Sequence, residues 1–439
     1  MTSRTEETAS ATAQTGAGGR GLFGHPPGLT VLFLTQTWAE FSYFGLQGLL
    51  VLYMTERLQL PQAEASLIFG TYAACAFFSP FFGGIIADRW LGKTKSVVIG
   101  GAMMMFGHFA MAYEPLLFPA LALVALGNGL FIPPLAVQVA DLYRDGDARR
   151  DQAFSAYYMG INLGALVALL LCGWLAQTYG WHWGFAAAGI GMAIGLVTYL
   201  GFRRYIPAEP PRARAEKRVL KPLTQAERGA LFTLLGVVAV VVLFRIAYEQ
   251  SGNTIMLWIA ERTARSIGGW DVPVSWFWAL NPALIIVVTP FLMMYWRRRK
   301  EAGHEPNLFH RMALGCVLAA VASLVMVAAA LAYNAGGGQQ VSALWPMGYY
   351  VILTLGELLV LPIGLSLFGT LSPAQIAAMM MGAWYIAKFL GSLAAGFIGT
   401  LWLTIPTELF FAIGVGAALL AAVILYWMGR ARTGVSAIS

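Results

Sequence analysis

The chain has 439 residues, of which 58% are hydrophobic and 11% charged, and a formal net charge of +7. An average soluble domain carries roughly 25% charged residues, which excludes a water-soluble fold of this length. The basic excess sits in short loops between apolar runs, the positive-inside pattern of a membrane protein, and so does not point to nucleic acid.

In chain order, residues 1–27 form a polar stretch rich in Ser, Thr, Ala and Gly. No basic start leads directly into a cleavable apolar core, so the stretch is expected to be a disordered cytoplasmic tail and not a signal peptide. About twelve apolar runs follow, at 28–54, 62–86, 94–113, 116–142, 152–177, 181–203, 229–260, 274–296, 308–333, 345–370, 374–402 and 405–429. Each is long enough to cross about 30 Å of hydrocarbon as a helix. The runs are continuous and do not alternate, which excludes a closed barrel. Arg89, Lys93 and Lys95, then Arg144, Arg149 and Arg150, then Arg297, Arg298, Arg299 and Lys300 lie in even-to-odd loops. The opposite loops carry mainly Arg57, Arg262 and Arg265, so both termini are expected in the cytoplasm.

The stretch 203–228 gathers Arg203, Arg204, Arg212, Arg214, Lys217, Arg218 and Lys221 around three prolines and divides six spans from six. The expected organisation is a bundle at 28–203, a basic cytoplasmic linker at 204–228, a second bundle at 229–430 and a short tail at 431–439. The linker is either a plain tether or a segment resting on anionic lipid. Cys75, Cys172 and Cys316 fall in different spans with no metal spacing and read as packing residues. No nucleophile–base or metal constellation appears, so neither an enzyme nor a cofactor is expected.

Charges inside the spans are costly in lipid and point to function. Glu357 lies about twelve residues into its helix, so roughly 18 Å deep at about 1.5 Å per residue, near the bilayer centre. Lys388 lies near the midplane of the eleventh span. Arg245 and Glu249 are four apart and share a helix face. The plainer readings are a carboxylate locked to a neighbouring helix for Glu357, a static partner of Glu357 or Glu40 for Lys388, and a local ion pair for Arg245 and Glu249. His108 is the one histidine well inside a span and reads as a packing residue.

Three blocks carry a resemblance. Gly83-Gly84-Ile85-Ile86-Ala87-Asp88-Arg89-Trp90-Leu91-Gly92-Lys93 closes the second span. Phe154-Ser155-Ala156-Tyr157-Tyr158-Met159-Gly160-Ile161-Asn162-Leu163-Gly164-Ala165-Leu166 lies in the fifth. Gly356-Glu357-Leu358-Leu359-Val360-Leu361-Pro362-Ile363-Gly364-Leu365-Ser366 leads to Met381-Gly382-Ala383-Trp384-Tyr385, and Asn281-Pro282 interrupts the eighth. Together these resemble the proton-dependent oligopeptide transporter family of the major facilitator superfamily, over essentially residues 28–430. The resemblance implies an all-α membrane fold of about twelve helices in two six-helix bundles, with substrate held between them near the midplane. It also implies that Asn162, Asn281 and Glu357 grip a peptide amine, and that Asp88 and Arg89 belong to a cytoplasmic gate. For the two asparagines the plainer reading is interhelical hydrogen bonding.

The sequence departs from the family in its first half. Phe41-Ser42-Tyr43-Phe44-Gly45 aligns, but Gln36 and Ala39 stand where the family has glutamates and Glu40 where it has an arginine. Gln47 replaces a gating arginine, Ile132 a lysine and Phe77 a tyrosine. By resemblance, the lost arginine and lysine would hold a peptide carboxylate, which Glu40 would repel by an energy on the order of several kcal/mol. Lys388 is expected to supply the missing positive charge. Glu249 falls on a family acid of the outer gate, and Arg245 is its expected new partner.

The expected function is secondary active import of small peptides or peptide-like amine compounds by alternating access in a bacterial inner membrane. Glu357, Asn162 and Asn281 would hold the amine, and Tyr43 and Trp384 would shape the cavity. Glu40, Glu249 or Glu357 would carry any coupled proton. The expected partners are a small amine-bearing substrate, protons and the lipid bilayer, with the protein a monomer that binds no nucleic acid. The alternatives are a non-peptide cationic metabolite, drug or siderophore-like compound moved without protons, and a sensor that has lost transport.

Overall fold

A computed structural model describes residues 21, 24–144, 147, 149–209, 222, 224–303, 307–372 and 376–436. Most of the tail expected at 1–27, the linker positions 210–221 and 223, and residues 437–439 lie outside the described residues. The helices are α1 Pro27–Leu52, α2 Gln62–Ile86, α3 Lys93–Ala110, α4 Leu117–Asp141, α5 Arg149–Tyr179, α6 Trp181–Gly201 and α7 Gln225–Tyr248. They continue with α8 Thr254–Arg262, α9 Val274–Glu301, α10 Leu308–Ala335, α11 Leu344–Leu371, α12 Ala377–Gly399 and α13 Thr407–Ser436. Helices satisfy every backbone group internally, which hydrocarbon demands. Among the described residues, nine helical stretches are long and apolar enough to cross a membrane by themselves. Two that fall outside that group, α1 and α12, carry the buried polar residues Gln36, Ser42, Gln47 and Ser392.

Two expectations about element boundaries shift. The seventh span is not continuous: α7 ends in a tight turn at Glu249–Gly252, Asn253 leaves helical geometry, and α8 resumes the crossing. The backbone freed there is met by side chains, with Tyr350 donating to the Ser251 carbonyl (2.6 Å) and Tyr349 to that of Ala247 (3.4 Å), while the Gln250 side chain ties the turn to α12 through the Ala395 carbonyl (3.0 Å). The last helix runs to Ser436 instead of ending near 430. Four two-residue strands, outside the all-helical expectation, lie beyond α8. Ser266–Ile267 and Trp270–Asp271 close a hairpin over Gly268 and Gly269, both at positive φ, which two-residue hairpin loops favour.

The helices pack as two groups. In the first, α1 lies on α5 and α6, and α4 on α2 and α3; in the second, α10 lies on α11 and α13, and α7 on α12 and α13. The groups meet along two seams, α2 against α12 and α5 against α9. Both seams are tight at the end of the molecule opposite the linker. There a Cβ on Gly396 would lie 2.8 Å from the Gly70 Cα. Gln62 donates to the Gly399 carbonyl (3.0 Å), and Ser66 donates to Asn253 (3.0 Å). On the second seam Ser275 donates to the Leu169 carbonyl (2.7 Å) and Trp276 to that of Leu170 (2.9 Å). Toward the linker end the contact continues through aromatic rings, with Phe78 on Phe389 at 5.0 Å between ring centres and the Phe81 ring 3.8 Å from where a Cβ on Gly382 would lie. There Phe81 and Phe82 are half exposed. The direct hydrogen bonds between the groups are thus gathered at the end opposite the linker.

Candidate functional site

The α11 carboxylate is built into its place. Glu357 is 6% exposed; its Oε2 accepts a hydrogen bond from Asn281 Nδ2 (2.6 Å) and its Oε1 one from the Tyr248 hydroxyl (3.2 Å). Asn281 also donates to Thr354, one turn before Glu357 on α11 (3.0 Å). All these donors are neutral, so the carboxylate is oriented without being paired to a cation. Asn162 is not bonded to it. Asn162 donates to the Tyr158 carbonyl one turn earlier on α5 (3.0 Å), while Tyr158 lies within electrostatic reach of Glu357.

Two cations gather on one aromatic ring. The Arg245 guanidinium lies 4.7 Å and the Lys388 ammonium 5.0 Å from the centre of Phe77, and Lys388 also lies 5.8 Å from the Tyr385 ring. Arg245 is 3% exposed and is ion-paired to Glu249 one turn later, with Ser392 on α12 at 3.3 Å. Lys388 has no ion pair or hydrogen bond among the described residues, so the structure does not lock it to Glu357 or Glu40. Both carboxylates nevertheless lie within its electrostatic reach. The sequence departure at Phe77 therefore has a physical counterpart: the ring serves as a shared platform for the two cations.

The first half contributes a relay. The Tyr157 hydroxyl donates to Gln36 Oε1 (2.6 Å), and Gln36 Nε2 donates to Glu40 Oε1 (2.7 Å). Gln36, read from sequence as a lost glutamate, is thus the group that holds Glu40. Tyr43 stacks on Tyr72 at 6.1 Å, and both hydroxyls are buried without a partner among the described residues.

Other expected residues lie apart. Trp384 is 3% exposed and packs edge-on against Phe368 and over Gly364, joining α12 to α11. Asp88 and Arg89 are exposed at the linker end and make no ion pair among the described residues; there Lys93 pairs with Asp141 instead (2.6 Å). His108 is fully buried, its ring nitrogens unpartnered. No metal-binding cluster of His, Cys, Asp or Glu occurs among the described residues. Sequence reasoning missed Tyr248, Thr354 and Ser392. Tyr248 adjoins Glu249 and could have been marked as polar within a span. The other two are small hydroxyl residues that only tertiary contacts single out.

Residues 94–228 and 221–417 match the POT family. The peptide transporter YePEPT of Yersinia enterocolitica subsp. palearctica is 33% identical over 459 residues, covering 87% of this chain and 89% of the relative. The di-/tripeptide transporter of Lactococcus lactis subsp. cremoris is 29% identical, covering 83% of this chain and 87% of its own length. A crystal structure of the peptide transporter POT in complex with sulfate aligns with a TM-score of 0.82 at 30% identity, over 94% of this chain and 96% of that one. A variant of POT in complex with alafosfalin aligns at 0.83 and 30% identity, over 95% and 98%. The major facilitator arrangement of two six-span bundles is common to these matches and to the packing described above. This chain belongs to the POT family, as a multi-pass membrane protein of all-α fold.

Proposed function

We propose that this chain imports small peptides or peptide-like amine compounds by alternating access across a bacterial inner membrane, as a monomer with both termini in the cytoplasm. The observation that carries the reading is Glu357. It is a buried carboxylate oriented by neutral donors, with the unpaired ammonium of Lys388 within its electrostatic reach. A substrate amine displaces water at Glu357 and Asn281, with Asn162 and Tyr158 on the facing helix. The substrate carboxylate goes to Lys388, beside Arg245. Tyr43 lines the first-half wall and Trp384 backs the second. Peptide transporters among the relatives, and the alafosfalin complex of a similar protein, support this substrate class.

Coupled protons would travel on Glu40, Glu249 or Glu357, since the glutamates expected in the first helix are absent. Asp88 and Arg89 would belong to a gate at the linker end. A second reading, a cationic non-peptide compound moved without protons, draws on Glu40, an acid where the family has a base. A thermal-stabilisation screen tests both, because a ligand that binds only the folded protein raises its melting temperature. Dipeptides should stabilise the purified protein and enter proteoliposomes. Stabilisation by organic cations alone, with no response to dipeptides, would replace the first reading by the second.

A further inference from the structure

Five charged residues lie well inside the spans: Glu40, Arg245, Glu249, Glu357 and Lys388. The cavity region therefore holds three carboxylates against two cations, one negative charge in excess. Arg245 and Glu249 neutralise each other within one helix. Lys388 can balance Glu357 or Glu40, but not both. Glu357 has both oxygens taken by neutral donors. Glu40 has one oxygen on Gln36, and its Oε2 has no partner among the described residues. The ionisable groups acting around Glu40 are Tyr43 on its own helix, Tyr72 from α2, Tyr157 from α5 and Lys388 from α12. None of the tyrosines supplies a positive charge.

A zwitterionic dipeptide brings one plus and one minus, which Glu357 and Lys388 receive, and it leaves the charge on Glu40 unbalanced in a low-dielectric cavity. Such a charge is strongly disfavoured unless something neutralises it. We infer that Glu40 is a selectivity carboxylate that accepts either the cationic side chain of a basic dipeptide or a proton, the two serving interchangeably. The inference rests on the peptide reading above. The loaded cavity is electroneutral with a dipeptide of one net positive charge, or with a net-neutral dipeptide and one proton. Raising the pH withdraws the proton, so it weakens binding of neutral dipeptides and leaves that of basic ones in place.

The test is binding of Ala-Ala and Lys-Ala to the purified full-length protein, with counterflow in proteoliposomes, at about pH 5.5 and about pH 7.5. The lysine side chain stays charged across that range, its pKa being ~10.4. Between the two pH values, Ala-Ala affinity should fall by roughly tenfold, about 1.4 kcal/mol, and Lys-Ala affinity by less than about twofold. In Glu40→Gln the preference for Lys-Ala and the pH dependence of Ala-Ala should both vanish. The wild-type comparison tests the idea even if that variant does not fold. Equal affinity and equal pH dependence for the two peptides in the wild type overturns the inference alone, as does a Glu40→Gln protein that keeps the preference. Binding of neither peptide by the wild type overturns the peptide reading and this inference with it.

Discussion

At Lys388 an ammonium stands at the middle of a membrane-spanning helix, with aromatic rings for neighbours and no carboxylate in contact. A structural lysine in that position would be paired, because an unpaired charge in hydrocarbon is expensive. Its isolation is what a ligand site requires, since the charge is held ready at a cost to the empty protein. Lys388→Ala should therefore reduce dipeptide uptake by at least about twentyfold, close to 2 kcal/mol. The melting temperature of the purified protein should change little, because the variant breaks no ion pair or hydrogen bond among the described residues and Glu357 keeps its neutral donors. Undiminished uptake by that variant would remove Lys388 from the site. Arg245 contrasts with it. Its ion pair with Glu249 and its contact with Ser392 tie α7 to α12, so it is a member of the scaffold as much as of the pocket.

At the scale of elements, the break at Glu249–Asn253 gives the seventh span its shape. Gly252 packs against the Trp278 ring with no room for a side chain. Gly252→Ala should force that ring or the turn to shift at a cost of about 1–3 kcal/mol. A drop of several degrees in the melting temperature, measured in detergent, would confirm it, and an unchanged value would show that the turn yields freely. The break also marks the limit of what the sequence discloses. The apolar runs located the twelve crossings because lipid rewards long uninterrupted hydrophobic stretches. The turn inside 229–260 is hidden in the sequence, since its freed carbonyls are satisfied by Tyr350 and Tyr349 through contacts that hydropathy does not record. The site shows the same division. Glu357, Lys388 and Arg245 stand out as charges in apolar runs. Tyr248 and Thr354 become visible only once α7, α9 and α11 are brought together, and the grip of Gln36 on Glu40 depends on α5 supplying Tyr157.

At the scale of the whole molecule, the alternating-access cycle proposed above requires the tight end opposite the linker to part. A Cβ on Gly48 would lie 3.9 Å from that of Ser275, across the boundary between the two bundles at that end. That separation suits a disulfide, whose Cβ atoms stand about 3.5–4.5 Å apart. Gly48→Cys with Ser275→Cys, on a background without the three natural cysteines, should cross-link on oxidation and stop uptake, with activity returning on reduction. Full uptake by the cross-linked protein would mean that this seam never parts.

The seams themselves are made of very little. Gly70 meets Gly396 backbone to backbone, and across the second boundary Ser275, Trp276 and Gln177 donate to the Leu169, Leu170 and Asp271 carbonyls. Glycine has no rotamers to freeze, so re-forming the Gly70–Gly396 contact orders little. In an alternating-access cycle the crossing of α2 and α12 would act as a bearing, two smooth faces that part and return with little friction. On the alternating-access cycle proposed above, traffic would then be paced by what fills the charged interior, and hardly at all by the parting of that crossing.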